Sequence, residues 1–198
     1  VPSAGAKFAN PMRLFFQALT YIPLPILYGI GWFAYFIAYH VMRWRRTRAE
    51  ADFARAFPDM PEAQRREIIR QCYRNLADTI VEAFWGFRAS PAAIKKRVTF
   101  EDPELIQRAI DNKQTILLLA AHHGNWEWLL QAAGAYFPIP IDVVYQPQRI
   151  AALDAFLRKV RCRFGGKLIP REQFIYELLS QGGEPRAYAL IADQTPRK

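Results

Sequence analysis

Cysteine is scarce: Cys72 and Cys162 are the two in 198 residues, far apart and in no C-x-x-C pair. That excludes a disulfide scaffold and a dithiol redox motif, and both read as reduced thiols of the cytosol. The sequence also lacks a P-loop, zinc-finger spacing and an aromatic RNA-binding motif. It has no internal repeat, low-complexity tract or convincing cluster of metal ligands, so neither a metal nor a cofactor is expected. Charge is missing from one long interval. Between Arg13 and Arg43 there is no Lys, Arg, Asp or Glu.

Elsewhere positive charge is in excess, with 27 Lys and Arg against 18 acidic residues, a net +9. Such a surface suits anionic membrane lipid, an acidic protein partner or nucleic acid. The absent motifs argue against nucleic acid. The length suffices for one domain of ordinary size with a real core.

The uncharged interval is long enough to cross a bilayer, which takes about 20 residues. It holds Leu14, Phe15, Phe16, Ile26, Leu27, Trp32, Phe33, Phe36 and Ile37. Pro23 and Pro25 kink it or mark a helix start near Leu24. Arg43, Arg45, Arg46 and Arg48 follow at once, outnumbering Lys7 and Arg13 on the other flank. The interval therefore reads as a spanning or deeply embedded anchor, with the downstream domain in the cytoplasm. A hairpin, an interfacial helix and a buried soluble helix are the alternatives.

Past the break at Phe57–Pro61, Asp59 is placed to cap a helix, with Glu62 three residues on. Ile69, Cys72, Tyr73, Leu76, Ile80, Phe84 and Phe87 then recur at helical spacing. Ser90–Pro91 and Asp102–Pro103 read as caps with first-turn prolines. The second opens a helix near Glu104–Ile110 that ends at Asn112. Strands follow at Thr115–Ala120, Ile141–Tyr145, Lys167–Ile169 and Arg186–Ile191. Helices at Trp126–Tyr136, Ile150–Val160 and Glu172–Leu179, and a turn at Gly182 and Gly183, lie between them. This alternation predicts an α/β domain with a mainly parallel sheet. Sites in such folds gather beyond the carboxyl ends of strands, where His122 and Asp193 both fall.

The stretch AAHHGNWEWLL, Ala120 to Leu130, is the richest in chemistry. Gly124 permits a tight turn between His122 and Glu127, which brings a carboxylate beside an imidazole. A histidine so supported is a general base. No serine or cysteine lies near it as a nucleophile, so the base would take its proton directly from a substrate hydroxyl or amine. Arg161, Arg163, Lys167 and Arg171 can bind phosphates or developing negative charge. Plainer readings stand beside these. His122 can simply bond a loop, Glu127 can be a first-turn helix acid, and the basic run can be a solvated face. Asp193 can cap a turn or bind a metal.

These residues, taken together, resemble the bacterial lipid A biosynthesis acyltransferases, the late lauroyl and myristoyl transferases. HHGNWE carries the family's histidine, four residues and glutamate. VYQP, Val144 to Pro147, is similar to its V-Y-R/K-P segment. RCRFGGKLIPRE, Arg161 to Glu172, is similar to R-x-R-F-G-G-x-x-I-x-R, and ADQ, Ala192 to Gln194, to its aspartate segment. AEADFARAFPDMP looks like its N-L-x-x-x-F-P region. Two positions depart from the pattern: Asp52 replaces a common Asn, and Gln146 a common Arg or Lys.

The resemblance implies a glycerol-phosphate-acyltransferase-like fold. It implies transfer of an acyl chain from acyl carrier protein to a hydroxyl of a lipid A precursor, on the cytoplasmic side of the inner membrane. By motif, His122 would be the base, Glu127 its orienting partner, and Arg161 and Asp193 functional neighbours. Gly124 and Asn125 would shape the turn and offer N–H groups to the oxyanion. His123 receives no role. Residues 1–48 would form the anchor and its basic flank, and 49–198 an acyltransferase domain lacking its C-terminal part. The competing expectations are transfer to another membrane lipid, and a non-catalytic lipid-binding membrane protein.

Overall fold

The structure is a computed structural model that describes residues 11–180 and 185–193. Lys7, the turn expected at Gly182 and Gly183, and Gln194 lie outside the described residues. The chain divides into two compact units, residues 1–21 with 86–198, and residues 22–85.

In the larger unit the elements are α1 (Pro11–Leu19), α5 (Pro91–Lys95), α6 (Pro103–Asp111), β1 (Ile116–Ala120), α7 (Trp126–Tyr136), β2 (Ile141–Tyr145), α8 (Ala151–Arg161), β3 (Leu168–Pro170), a 3-10 turn (Arg171–Gln173), α9 (Phe174–Ser180) and β4 (Ala187–Ile191). Two of the three caps read from sequence form, whereas the helix expected after Asp59 begins only at Glu62, beyond Pro61. Ser90 Oγ accepts from the Ala93 N–H, and Asp102 Oδ1 from the Leu105 N–H at 3.1 Å. Pro91 and Pro103 occupy first-turn positions where a missing N–H costs nothing.

All the described strand pairs are parallel, in the order β1-β4-β2-β3. One sheet face buries Ile141 and Ala187 against Ala133, Phe137 and Ile139, with Ile116, Leu118 and Leu130 packed on this cluster. Neighbouring strand residues point the other way. There Tyr188 meets the Phe174 ring of α9 at 5.6 Å, so helices flank both faces. On that second face Leu119, 70 % exposed, and Leu117 stay uncovered on strand β1.

The amino ends of the strands are tied by a buried charge. Asp142, 0 % exposed, accepts from Arg186 Nε at 2.7 Å and Nη2 at 2.8 Å, and from the Lys167 backbone N–H at 2.9 Å. One carboxylate thus links the starts of β2, β3 and β4. The approach there is close, since a Cβ on Gly166 would lie 1.7 Å from the Ile141 carbonyl oxygen. The R-x-R-F-G-G stretch therefore has a packing reason for its second glycine.

Residues 22–85 contain α2 (Leu24–Phe36), which continues as a π-helical turn (Ile37–Val41), then α3 (Arg46–Ala56) and most of α4 (Glu62–Gly86). The uncharged interval, expected as one anchor, is two helices. Pro23 caps α2 and biases Ile22 away from helix, which separates α2 from α1. Leu24–Val41 is long and apolar enough to cross a membrane, and 28 % of it is buried. On α4 part of the expected apolar face is buried, Ile69 and Phe84, and part is not. Leu76 and Ile80 are exposed, while Ile69, Tyr73 and Ala77 pack on Tyr35 and Tyr39. The π-helical turn and the aromatic side of α2 select that face.

Replacing Asp142 with alanine leaves the half-buried Arg186 guanidinium without its carboxylate and the Lys167 N–H without its acceptor. The expected loss is about 3–5 kcal/mol of unfolding free energy, read from urea denaturation, with the pocket at the opposite strand ends losing function only as the fold is lost.

Candidate active site

The site is built from the carboxyl ends of the strands. Strand β1 runs parallel to β4 with Ala120 opposite Ile191. Two residues further along each chain lie His122 and Asp193, an equal offset, so continuation of the ladder sets them side by side. The Ala192 N–H still donates to the Ala120 carbonyl at 2.9 Å beyond the strand ends. His122 Nδ1 is 2.9 Å from Asp193 Oδ1, and the His122 backbone N–H donates to Oδ2 at 3.0 Å.

Both bonds favour the ionised carboxyl. The His122 ring, then its backbone N–H, hold Asp193 below the ordinary carboxylate range. An ionised carboxylate only accepts, so Nδ1 carries a proton, and in the neutral ring the lone pair is the one on Nε2. The Trp126 ring stands edge-on to His122, centroids 5.0 Å apart. Gly124 turns the chain with a φ of 58°, a left-handed conformation that open space alone would not demand of glycine. Asn125 then caps α7, its Oδ1 accepting from the Trp128 N–H at 2.9 Å.

Glu127 sits in the first turn of α7 with its side chain 7 % exposed. It pairs with the last residue of α8. Arg161 Nε donates to Oε2 at 3.1 Å and Nη2 to Oε1 at 2.5 Å, a two-pronged pair. Burial opposes the Arg161 charge, and the Glu127 bond and charge outweigh it, raising the guanidinium pKa. The carboxylate on the imidazole is therefore Asp193, while Glu127 is engaged by Arg161. Sequence spacing pointed to Glu127 because five residues and a glycine were visible. The partner 71 residues away follows only from strand register.

A cavity of about 970 Å³ opens on these groups. Its lining includes His122, Trp126, Glu127, Arg161 and Arg171, with Leu105, Ile106, Leu117, Leu119, Leu130 and Ala133 as apolar wall. The remaining basic candidates lie elsewhere. Arg163 donates to the carbonyls of Gly86 at 2.8 Å and Ala89 at 2.5 Å, and its burial lowers its pKa. Lys167 pairs with Glu177 at 2.8 Å, near the amino end of β3. Neither is among the cavity residues, whereas Arg171 is. Tyr145 at the end of β2, and Gln146 and Gln148 beyond it, also line the cavity. Tyr145 and Gln146 were visible only within the VYQP motif. The thiols of Cys72 and Cys162 are free, and burial raises the pKa of each. Among the described residues no group of three His, Cys, Asp or Glu could hold a metal.

A parallel α/β domain with an imidazole–carboxylate pair and an apolar cavity at its carboxyl strand ends defines a class equipped for proton transfer beside an apolar ligand. Sequence comparison supplies the family. The profile of the bacterial lipid A biosynthesis acyltransferases matches residues 12–196, and the chain belongs to that family. It is similar to a lipid A biosynthesis acyltransferase of Haemophilus influenzae, 28 % identical over 144 residues, covering 71 % of this chain and 44 % of the relative. A second protein of that name from the same organism is 27 % identical over 160 residues, 79 % of this chain and 50 % of the relative. Lipid A biosynthesis acyltransferase 2 of Shigella flexneri is 25 % identical over 155 residues, 76 % of this chain and 46 % of the relative. The chain thus spans about half the length of these curated relatives.

Replacing Asp193 with asparagine keeps the shape and removes the charge. A folded pKa below the unfolded one contributes stability above the ordinary carboxylate range, near pH ~3.9. That contribution is lost as pH falls through the lowered value. The stability difference between the wild type and Asp193→Asn, followed by urea titration, is expected to persist from pH ~7 to ~5 and to shrink below pH ~4.

Proposed function

We propose that the protein transfers a fatty acyl chain from an acyl carrier protein thioester to a hydroxyl of a lipid A precursor, in lipopolysaccharide biosynthesis. The observation that carries this reading is the His122–Asp193 pair on the wall of the 970 Å³ cavity. Family membership supplies the reaction class. The fold reading is glycerol-phosphate-acyltransferase-like, and the sheet with its site beyond the carboxyl strand ends supports it.

His122 acts as general base. The acceptor O–H gives its proton to Nε2 while the oxygen attacks the thioester carbonyl carbon. The carbonyl oxygen takes the charge of the tetrahedral intermediate. N–H groups at the Gly124–Asn125 turn are the proposed donors to that oxyanion. Collapse breaks the C–S bond, and the imidazolium returns the proton to the leaving thiolate. Asp193 holds the Nδ1–H tautomer and offsets the transient imidazolium charge. Glu127 and Arg161 fix the first turn of α7 against the end of α8, which sets the cavity wall beside the base. Arg171 is placed for a lipid phosphate. Arg163 and Lys167, proposed from sequence as substrate contacts, support the site from their carbonyl and carboxylate partners.

Residues 1–48 serve as the membrane anchor with its basic flank, and the domain from residue 49 works on the cytoplasmic face of the inner membrane, with anionic lipid beneath it. The excess of 27 basic over 18 acidic residues suits an acidic carrier protein.

A second acceptor class has one observation in its favour. Gln146 lines the cavity at a position where the family resemblance implies Arg or Lys. That exchange removes a cation from the acceptor side, which suits a membrane lipid other than a phosphorylated disaccharide.

Mass analysis of the product formed by the full-length protein from carrier-bound acyl thioester and defined acceptors tests the reading. Acylated phosphorylated disaccharide lipid is the expected product. Product only with another lipid selects the second reading, and absence of turnover with every acceptor selects a lipid-binding protein. His122→Ala should lower turnover by about 10²–10⁴-fold, and an unchanged rate rejects the base.

A further inference from the structure

Helix α2 together with its π-helical turn, Leu24–Val41, is long and apolar enough to cross a bilayer, yet one side of it is occupied along most of its length by the charged helix α4. Within residues 22–85 the two run antiparallel, and the contacts keep step. Tyr28 donates its hydroxyl to Glu82. A Cβ on Gly31 would sit 3.3 Å from Val81 Cγ1 and 3.4 Å from the Ala77 carbonyl. The Arg74 guanidinium lies over the Tyr35 ring at 5.5 Å, and Tyr39 meets the Tyr73 ring at 5.2 Å. The Tyr73 hydroxyl reaches the Trp44 carbonyl beyond the helix end.

Over that same stretch α4 carries Arg70, Arg74, Asp78 and Glu82. A groove of about 630 Å³ lies against both helices, lined by Gln71, Arg74, Asn75 and Asp78 from α4 and by rings of α2. The ionised Arg74 and Asp78 on the wall of this groove, and Glu82 beside it, need water or lipid headgroups around them, not hydrocarbon. A transbilayer path for α2 would draw all of these into the acyl region.

The opposite side of α2 has the reverse character. Ile26, Ile30 and Phe33 form an exposed stripe on the side away from the buried Leu24, Leu27, Gly31 and Tyr35, and Trp32 and Phe36 beside it are exposed too. Arg43, Arg45 and Arg48 follow directly, all exposed, and complement anionic headgroups.

We infer that α2 lies in the plane of one leaflet of an anionic phospholipid membrane, its Ile26–Ile30–Phe33 stripe in the acyl boundary and its arginine flank on the headgroups, instead of crossing the bilayer. Both ends of α2 are then on the same side of the membrane. The apolar stripe sits about 5–10 Å below the headgroup boundary, as for other in-plane helices. A spanning helix would put Phe33 near the midplane.

Sidedness of the full-length protein in native membranes tests this. In a Cys72→Ser, Cys162→Ser background, Tyr21→Cys and Thr47→Cys bracket α2 at exposed positions. A membrane-impermeant maleimide is expected to label both in inside-out vesicles and neither in right-side-out vesicles. Labelling of the two from opposite sides overturns the inference. Depth gives an independent reading that does not depend on those variants. A nitroxide on Phe33→Cys in vesicles of phosphatidylglycerol and phosphatidylethanolamine is expected at the acyl boundary, accessible to dissolved oxygen. A midplane depth overturns the inference, and so does a nitroxide shielded from oxygen by a second copy or another protein.

Discussion

The parallel register between β1 and β4 is the constraint on which the site depends. It pairs Ala120 with Ile191 and carries the same offset past the strand ends to His122 and Asp193. No side-chain preference brings those two residues together. Backbone hydrogen bonds do, and a slip of one residue would turn every side chain of β4 to the other face. Asp193 would then leave the imidazole while the apolar core lost Ala187. Core packing and site geometry are thus fixed by one ladder.

The two ends of the sheet divide the work. At the amino ends, Asp142 gathers Arg186 and the Lys167 N–H in a buried cluster that holds β2, β3 and β4 in line. At the carboxyl ends, His122–Asp193 stays partly open to solvent beside an apolar cavity. The first arrangement leaves little freedom to protons or ligands. The second keeps Nε2 of an imidazole available, which is what the proposed proton transfer requires. Glu127 and Arg161 stand between these extremes. They are a desolvated pair whose charges satisfy each other and whose backbones frame the pocket.

Residues 22–85 present the same contrast in another solvent. One side of α2 is committed to a charged helix, and the other is an apolar stripe ending in arginines. Composition along a line does not separate those sides. A window of uncharged residues is equally compatible with a crossing and with an in-plane helix, because hydropathy averages around the axis. The proposed in-plane placement rests on which partner occupies one face.

Local chemistry is legible in the sequence alone. Ser90–Pro91 and Asp102–Pro103 formed the caps their residue types specify, and Trp126–Tyr136 and Ile141–Tyr145 formed with the bounds read from periodicity. The family was legible too, because its motifs are short and ordered along the chain. What lay beyond reach was pairing across distance. Glu127 looked like the partner of His122 because both sit in one loop and turn, whereas the structure gives His122 to Asp193 and Glu127 to Arg161. Likewise Leu76 and Ile80 of α4 repeat at helical spacing yet face outward, since the helix that packs on α4 chooses its side. The sequence by itself determined the alternation of strands and helices from Thr115 onward and the charge of each segment, all properties of neighbours along the chain. Which carboxylate meets which cation or imidazole was decided by strand register and helix packing, and those exist only once distant segments are brought together.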